Sequence, residues 1–198
     1  MPRVLGFAGI ILAVANSPIP GQKEALSPWH GGALLQAHIQ TLQLHTDFVL
    51  VVAGQNAAAL EPVIDANAAF LKVVPGGQAE FAALQAGLQE VLNRGRDAAI
   101  VTPVGRPPVR TATVQFLRRA LESAPHEIWV VAPEHGGRHG YPVVVGREMM
   151  TVYLAARPDR QAQEIEHAHQ SHIRFVAVDD PLTVADFESQ ESCSQTAP

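Results

Sequence analysis

Apolar residues along this chain fall into short continuous runs, separated by longer segments in which they recur every three or four positions. The runs at 4–13, 47–53, 70–74, 97–102 and 127–132 read as strands. A parallel strand covered by helices on both faces need not alternate, so an unbroken apolar run suits it. Between the runs, residues 33–44, 57–68, 79–93 and 111–123 carry the helical period. In 79–93 the apolar positions are Phe81, Leu84, Leu88, Val91 and Leu92, and in 111–123 Phe116, Leu117 and Leu121 fall on one side. Strand–helix alternation with short connections predicts a three-layer α/β/α, Rossmann-like domain with a mostly parallel sheet. Right-handed crossovers then gather the loops that follow the strands on one edge, where such folds bind ligands.

The pattern changes after Pro133. Residues 135–141 are rich in glycine, 142–146 resume as a short strand, and helical segments near 147–156 and 160–171 lead into a last strand at 173–178. Residues 186–198 are polar and weakly patterned, which predicts a frayed tail behind a single domain spanning 1–185.

Composition narrows the function. Of the 198 residues, 47% are hydrophobic and 17% charged, enough for a buried core and too apolar for disorder. Fourteen Lys and Arg against 19 Asp and Glu argue against nucleic acid as a partner, since duplex binding needs a basic face to displace counterions. The single cysteine, Cys193, excludes an internal disulfide framework and a cysteine-based zinc cage. No apolar run reaches the roughly 20 residues that span a bilayer, so no membrane partner is expected. Residues 1–15, MPRVLGFAGIILAVA, nevertheless follow the grammar of a signal peptide, with Ala13-Val14-Ala15 as a small-x-small ending. The alternative is a first buried strand.

The stretch LAVANSPIPGQK after that run is a weak phosphate cradle by itself. Gly21 would permit close backbone approach and Lys23 would add a cation, but Pro18 and Pro20 each remove an N–H donor. Neither GxGxxG nor GxxxxGK[ST] is present. An ordinary surface loop is the competing reading.

The longer stretch GIILAVANSPIPGQKEALSPWHGGALLQAHI resembles the opening of the MobA-like nucleotidyltransferases, which attach nucleotides to the molybdenum cofactor. Members of that family begin with a strand ending in LAAG, then an SxRMGxxK loop and an LLPWxG segment. Gly21 and Lys23 match the loop's Gly and Lys, and Pro28, Trp29 and Gly31 match the PWxG segment. Further along, ALQAGL at 83–88 resembles SLRAGL, GRHGYPV at 137–143 resembles GRxGHPV, and VDDP at 178–181 followed by DFES at 186–189 resembles VDDP and DIDT. The resemblance runs from about residue 9 to 192 and makes the first apolar run a strand rather than a leader, which implies a cytoplasmic protein. It further implies a nucleotide-diphospho-sugar-transferase-type fold, CTP or GTP as donor, and a phosphorylated pterin-type acceptor.

The resemblance also names a site. It implies Lys23 as the catalytic cation and Ala13, Ala15, Gly21 and Lys23 as contacts to the nucleotide. Such chemistry neutralises developing negative charge, normally with Mg²⁺ on carboxylate oxygens. The family draws one carboxylate from a GDxP turn and the second from DIDT. Here the turn reads TPVGRPP at 102–108, so Gly105 stands at the aspartate position and Arg106 follows as a candidate phosphate contact. Glu188 stands at the second position, with Asp186 two residues before it, on the same face of an extended segment. A GDxGAR stretch appears as PDRQAQ at 158–163, with its Gly and Arg both replaced by Gln. The loop arginine has no counterpart, and Ala15 replaces the last glycine of LAAG.

His167, His169 and His172 read as a solvent-facing helical cluster without a further ligand, His135 and His139 as exposed loop residues, and Trp29 and Trp129 as packing. No GxSxG elbow supports a serine hydrolase. Two readings stay open: a nucleotidyltransferase, or a pseudoenzyme that keeps the fold as a nucleotide- or partner-binding module.

Overall fold

In a computed structural model of the chain, residues 4–14, 25–75 and 79–187 are described. The central sheet contains β1 (Phe7–Ala13), β4 (Phe48–Ala53), β5 (Phe70–Val73), β6 (Ala98–Pro103), β7 (Val130–His135), β9 (Val143–Gly146) and β10 (Ile173–Ala177), in the order β10-β7-β9-β6-β1-β4-β5. A short β8 (Arg138–His139) pairs with the end of β7, and β2 (Pro28–Trp29) and β3 (Gly32–Ala33) form a small hairpin apart from the sheet. Pairing is parallel across β6-β1-β4-β5 and between β10 and β7. β9 reverses, antiparallel to both β6 and β7, and the two-residue β8 is antiparallel to β7. The mostly parallel three-layer arrangement expected from the sequence is therefore the one observed.

The apolar run of β1 is buried along its whole length, and its residues divide between two cores. Phe7, Ile11 and Ala13 face α1 (Leu34–Gln43) and α4 (Thr111–Glu122), packing with Leu35, Ile39, Val114 and Leu117. Ala8, Ile10 and Leu12 face α3 (Glu80–Asn93) and α5 (Arg147–Ala155), packing with Phe81, Leu84, Leu88 and Met149. Burial on both faces is why the strand shows no polar alternation. Gly87 of α3 permits this packing: a Cβ there would lie 3.1 Å from Val52 and 3.3 Å from Ile10.

Several element boundaries differ from the sequence expectation. β1 starts at Phe7, because Val4 lies outside the sheet and is almost wholly exposed. The expected helix at 57–68 is only α2 (Ala57–Leu60) plus a 3-10 turn at Glu61–Val63. Pro62 and the bond from Asn67 N–H to the Asp65 carboxylate redirect the chain there. The strand expected at 127–132 is shifted to Val130–His135, since Pro133 and Glu134 pair with β10 and the end of the strand with β8. The expected helix at 160–171 shortens to α6 (Ala162–Ala168), followed by a 3-10 turn at Gln170–His172. Asp186 and Phe187, the first residues of the expected frayed tail, are held to the body: Asp186 pairs with Arg106, and the Phe187 ring lies 6.0 Å from Trp29. Among the described residues no helix is long and apolar enough to cross a membrane.

Candidate functional site

Two described loops meet at the carboxyl end of β1, the turn after β6 and the turn after β4. Leu12 and Pro103 are register partners, so the turn after β6 opens beside Ala13. The Val104 N–H donates to the Leu12 carbonyl at 2.9 Å, fixing that turn to β1. Asn56 joins the turn after β4 to it: its amide nitrogen donates to the Ala13 carbonyl at 2.7 Å, and its amide oxygen accepts from the Gly54 N–H at 3.1 Å. An asparagine three residues past a strand end is a common turn-former, and that was the available sequence signal for Asn56.

Gly105 and Arg106 sit in this turn, half-buried. Underneath, the His38 side chain of α1 is buried, and its Nε2 lies 2.7 Å from the Arg106 carbonyl, a distance at which Nε2–H donates. Desolvation lowers the His38 pKa to about 4, opposed by its bonds to the Arg106 and Val104 backbone. The ring is therefore neutral at pH 7. Sequence reasoning passed over His38, because a single histidine on an amphipathic helix carries no sign of which backbone it will meet.

The Arg106 guanidinium extends toward the C-terminal segment. It forms an ion pair with Asp186, donates to the Ala185 carbonyl at 3.2 Å, and lies 5.8 Å from the Tyr141 ring. The 3-10 turn Pro181–Val184 is fixed in turn by Asp180, which is 1% exposed. Its carboxylate accepts from the Thr113 hydroxyl at 2.7 Å, the Arg110 N–H at 2.9 Å and the Leu182 N–H at 3.2 Å. Three donors on one buried carboxylate weld the VDDP stretch to the start of α4. Gly140 of the GRHGYP stretch lies so close to Thr183 that any Cβ would collide with the Thr183 carbonyl. The motif fragments at 137–143 and 178–186 thus meet as one packed unit behind Arg106.

Of the sequence-derived site residues, Ala13, Arg106 and Asp186 are brought to this edge of the sheet. Ala15, Gly21, Lys23 and Glu188 lie outside the described residues. Mg²⁺ takes near-octahedral oxygen ligands. Gly105 offers no side chain, Asp186 is engaged by Arg106, and among the described residues no three His, Cys, Asp or Glu side chains gather as a metal site. Of the two candidate carboxylates, Asp186 and Glu188, only Asp186 is among the described residues, and it is paired with Arg106.

The histidine cluster has a packing role. His172 stacks on Trp129 with ring centroids 3.6 Å apart, and its Nδ1 lies 2.7 Å from the Glu127 carbonyl. His169 Nδ1 lies 2.9 Å from the Ile165 carbonyl, while His167 is exposed. His135 is bonded to the Val178 carbonyl rather than free in solvent, and His139 is exposed but stacked on Phe175.

A cavity of about 630 Å³ opens next to the site, over the face of the sheet covered by α3, α5 and α6. Its floor includes Leu12, Val101, Val130 and Val145, and its rim includes Glu80, Tyr141, Asp159 and Glu166. Desolvation pushes the Glu80 carboxyl up, opposed by the Arg106 guanidinium.

A mostly parallel sheet in which β8 and β9 are reversed, a glycine-permitted α3 against β1, and loops meeting at the carboxyl end of β1 define a nucleotidyltransferase-type α/β fold. The solved structure of Rv0371c from Mycobacterium tuberculosis H37Rv superposes with a TM-score of 0.79 over 97% of this chain and 100% of that one, at 18% identity. Its complex with manganese gives 0.77 over 98% and 100%, at 20% identity. A CMP:2-keto-3-deoxy-manno-octonic acid synthetase complexed with CTP gives 0.73 over 96% and 97%, at 14% identity. The model of the MobA-like NTP transferase domain matches residues 9–175, and the chain belongs to that family. No curated protein matches the sequence.

Proposed function

We propose that this chain is a nucleotide-binding member of its family with impaired transfer chemistry, holding CTP or GTP at the carboxyl end of β1, with Ala13 and Arg106, and Ala15, Gly21 and Lys23 of the sequence that follows β1, as its contacts. One observation carries this reading: the position that would supply a metal-ligating carboxylate is Gly105, and the adjacent Arg106 is ion-paired with Asp186. Removing a carboxylate weakens metal binding, and committing a guanidinium to Asp186 weakens its hold on a phosphate. Each preorganised electrostatic group is commonly worth about 10²–10³ in rate, so two alterations together leave little turnover.

The second reading is an active transferase that moves CMP or GMP to a phosphorylated, molybdopterin-type acceptor, with Lys23 as the catalytic cation and Glu188 and Asp186 at a Mg²⁺ site. The manganese complex of Rv0371c favours it, since that relative of similar fold takes a divalent metal.

Calorimetric titration with CTP and GTP, with and without Mg²⁺, combined with a pyrophosphate-release assay, separates the two. The first reading expects nucleotide binding that depends little on Mg²⁺ and no release above background. Ordinary enzymatic turnover with the molybdopterin-type acceptor would establish the second. No binding of either nucleotide would discard both.

A further inference from the structure

The cavity over α3, α5 and α6 has a chemistry unlike that expected of a pocket for phosphorylated ligands. Its volume of about 630 Å³ suits a small organic molecule. The floor is aliphatic, built from inward-facing residues such as Val101, Val130, Ala132 and Val145. The charged groups at the rim largely neutralise one another: Asp159 pairs with Arg157 at 2.6 Å, and Arg160 with Glu164 at 2.6 Å. Glu166 is different. Its carboxylate accepts from the buried Tyr153 hydroxyl at 2.6 Å, and among the described residues no cation pairs with it. A carboxylate accepts through two oxygens and about four lone pairs, so one hydroxyl leaves most of its capacity facing the cavity.

The charge of Glu166 is felt by both tyrosines of the cavity. Burial first, and then Glu166, pushes the Tyr153 hydroxyl above its usual range; Tyr141 is raised by burial, then Glu80 and Glu166, with Arg106 opposing. At the place where the family's GDxGAR stretch carries arginine, this rim has the neutral Gln163. A phosphate entering here would meet Glu166, and among the described lining residues the one guanidinium, Arg160, is already committed.

We propose that this cavity binds an amphipathic monocation, an aryl- or alkylammonium whose nitrogen pairs with Glu166 and whose apolar body lies on the floor of the sheet. In the reading given above, such a molecule would sit on the acceptor side of the nucleotide. The binding itself does not require nucleotide, so it is tested without any, and a parallel CTP titration reports separately on the nucleotide reading.

The test is calorimetry of the full chain with 2-phenylethylamine and with phenyl phosphate as probes. The amine is expected to bind at least tenfold more tightly than the phosphate. Glu166→Gln keeps a partner for Tyr153 but removes the charge, and is expected to lower amine affinity about tenfold. Gln163→Arg, at an exposed rim position that does not challenge folding, should weaken the amine and strengthen phenyl phosphate. This second variant decides the matter if Glu166→Gln does not fold. The proposal is overturned if neither probe binds, if phenyl phosphate binds as well as the amine, or if the folded variants leave both affinities unchanged.

Discussion

The Nε2 of His38 lies 2.7 Å from the carbonyl oxygen of Arg106, 68 residues further along the chain. That bond ties helix α1 to the turn that follows β6, and burial, not the bond, keeps the imidazole neutral. The same turn is pinned from the sheet side by the Val104 to Leu12 bond and from the C-terminal side by the pairing of Arg106 with Asp186.

Acid should loosen this arrangement. The His38 pKa is lowered from 6.5 to about 4, so the unfolded chain takes up a proton at a pH where the folded one does not. Stability from this group is complete above pH 6.5 and is lost as pH falls toward 4, amounting to about 3 kcal/mol. Urea midpoints of the wild type measured from pH 7.5 to 4 should fall more steeply than those of His38→Asn. Parallel profiles for the two proteins would contradict the assignment.

Asp186 and a nucleotide phosphate compete for one guanidinium. Asp186→Asn should free Arg106 and tighten metal-free CTP or GTP binding by about twofold to fivefold, an effect the size of a partly exposed ion pair. The gain should vanish in the Arg106→Ala background. If Asp186→Asn instead abolishes a metal-dependent component of binding, Asp186 is a ligand and the second functional reading gains.

Gly105→Asp restores a carboxylate at the turn beside Ala13. The variant should acquire Mg²⁺ binding, seen by calorimetry, that the unmodified chain lacks, and pyrophosphate release should rise from background. An unmodified protein that already binds Mg²⁺ as well as the variant would remove the lost-ligand argument.

Gly140→Ala places a methyl group against the Thr183 carbonyl. The contact is with backbone, which cannot rotate away, so the Pro181–Val184 turn must shift. A loss of about 1–3 kcal/mol is expected, read as a lowered melting temperature. Nucleotide affinity should change as well, because Ala185 and Asp186 hold Arg106.

Much of the fold was legible because it rests on local chemistry. The unbroken apolar run ending at Ala13 could be read as a strand buried on both faces, and the spacing of Phe81, Leu84 and Leu88 placed one face of α3 in the core. Boundaries were less legible where a partner decides them: Pro133 looks like a strand terminus, yet pairing with β10 carries β7 through it to His135. The absence of a carboxylate at Gly105 is a property of the sequence alone, since a glycine has no side chain in any fold. What Arg106 does is not, because its partners Asp186, Ala185 and His38 are far away in the chain and meet it only after the sheet, the VDDP turn and α1 have assembled. The same holds for the cavity. Glu166 reads as one more exposed helical acid until α6 packs it against Tyr153, because ion pairing and desolvation depend on distances that only the tertiary structure sets.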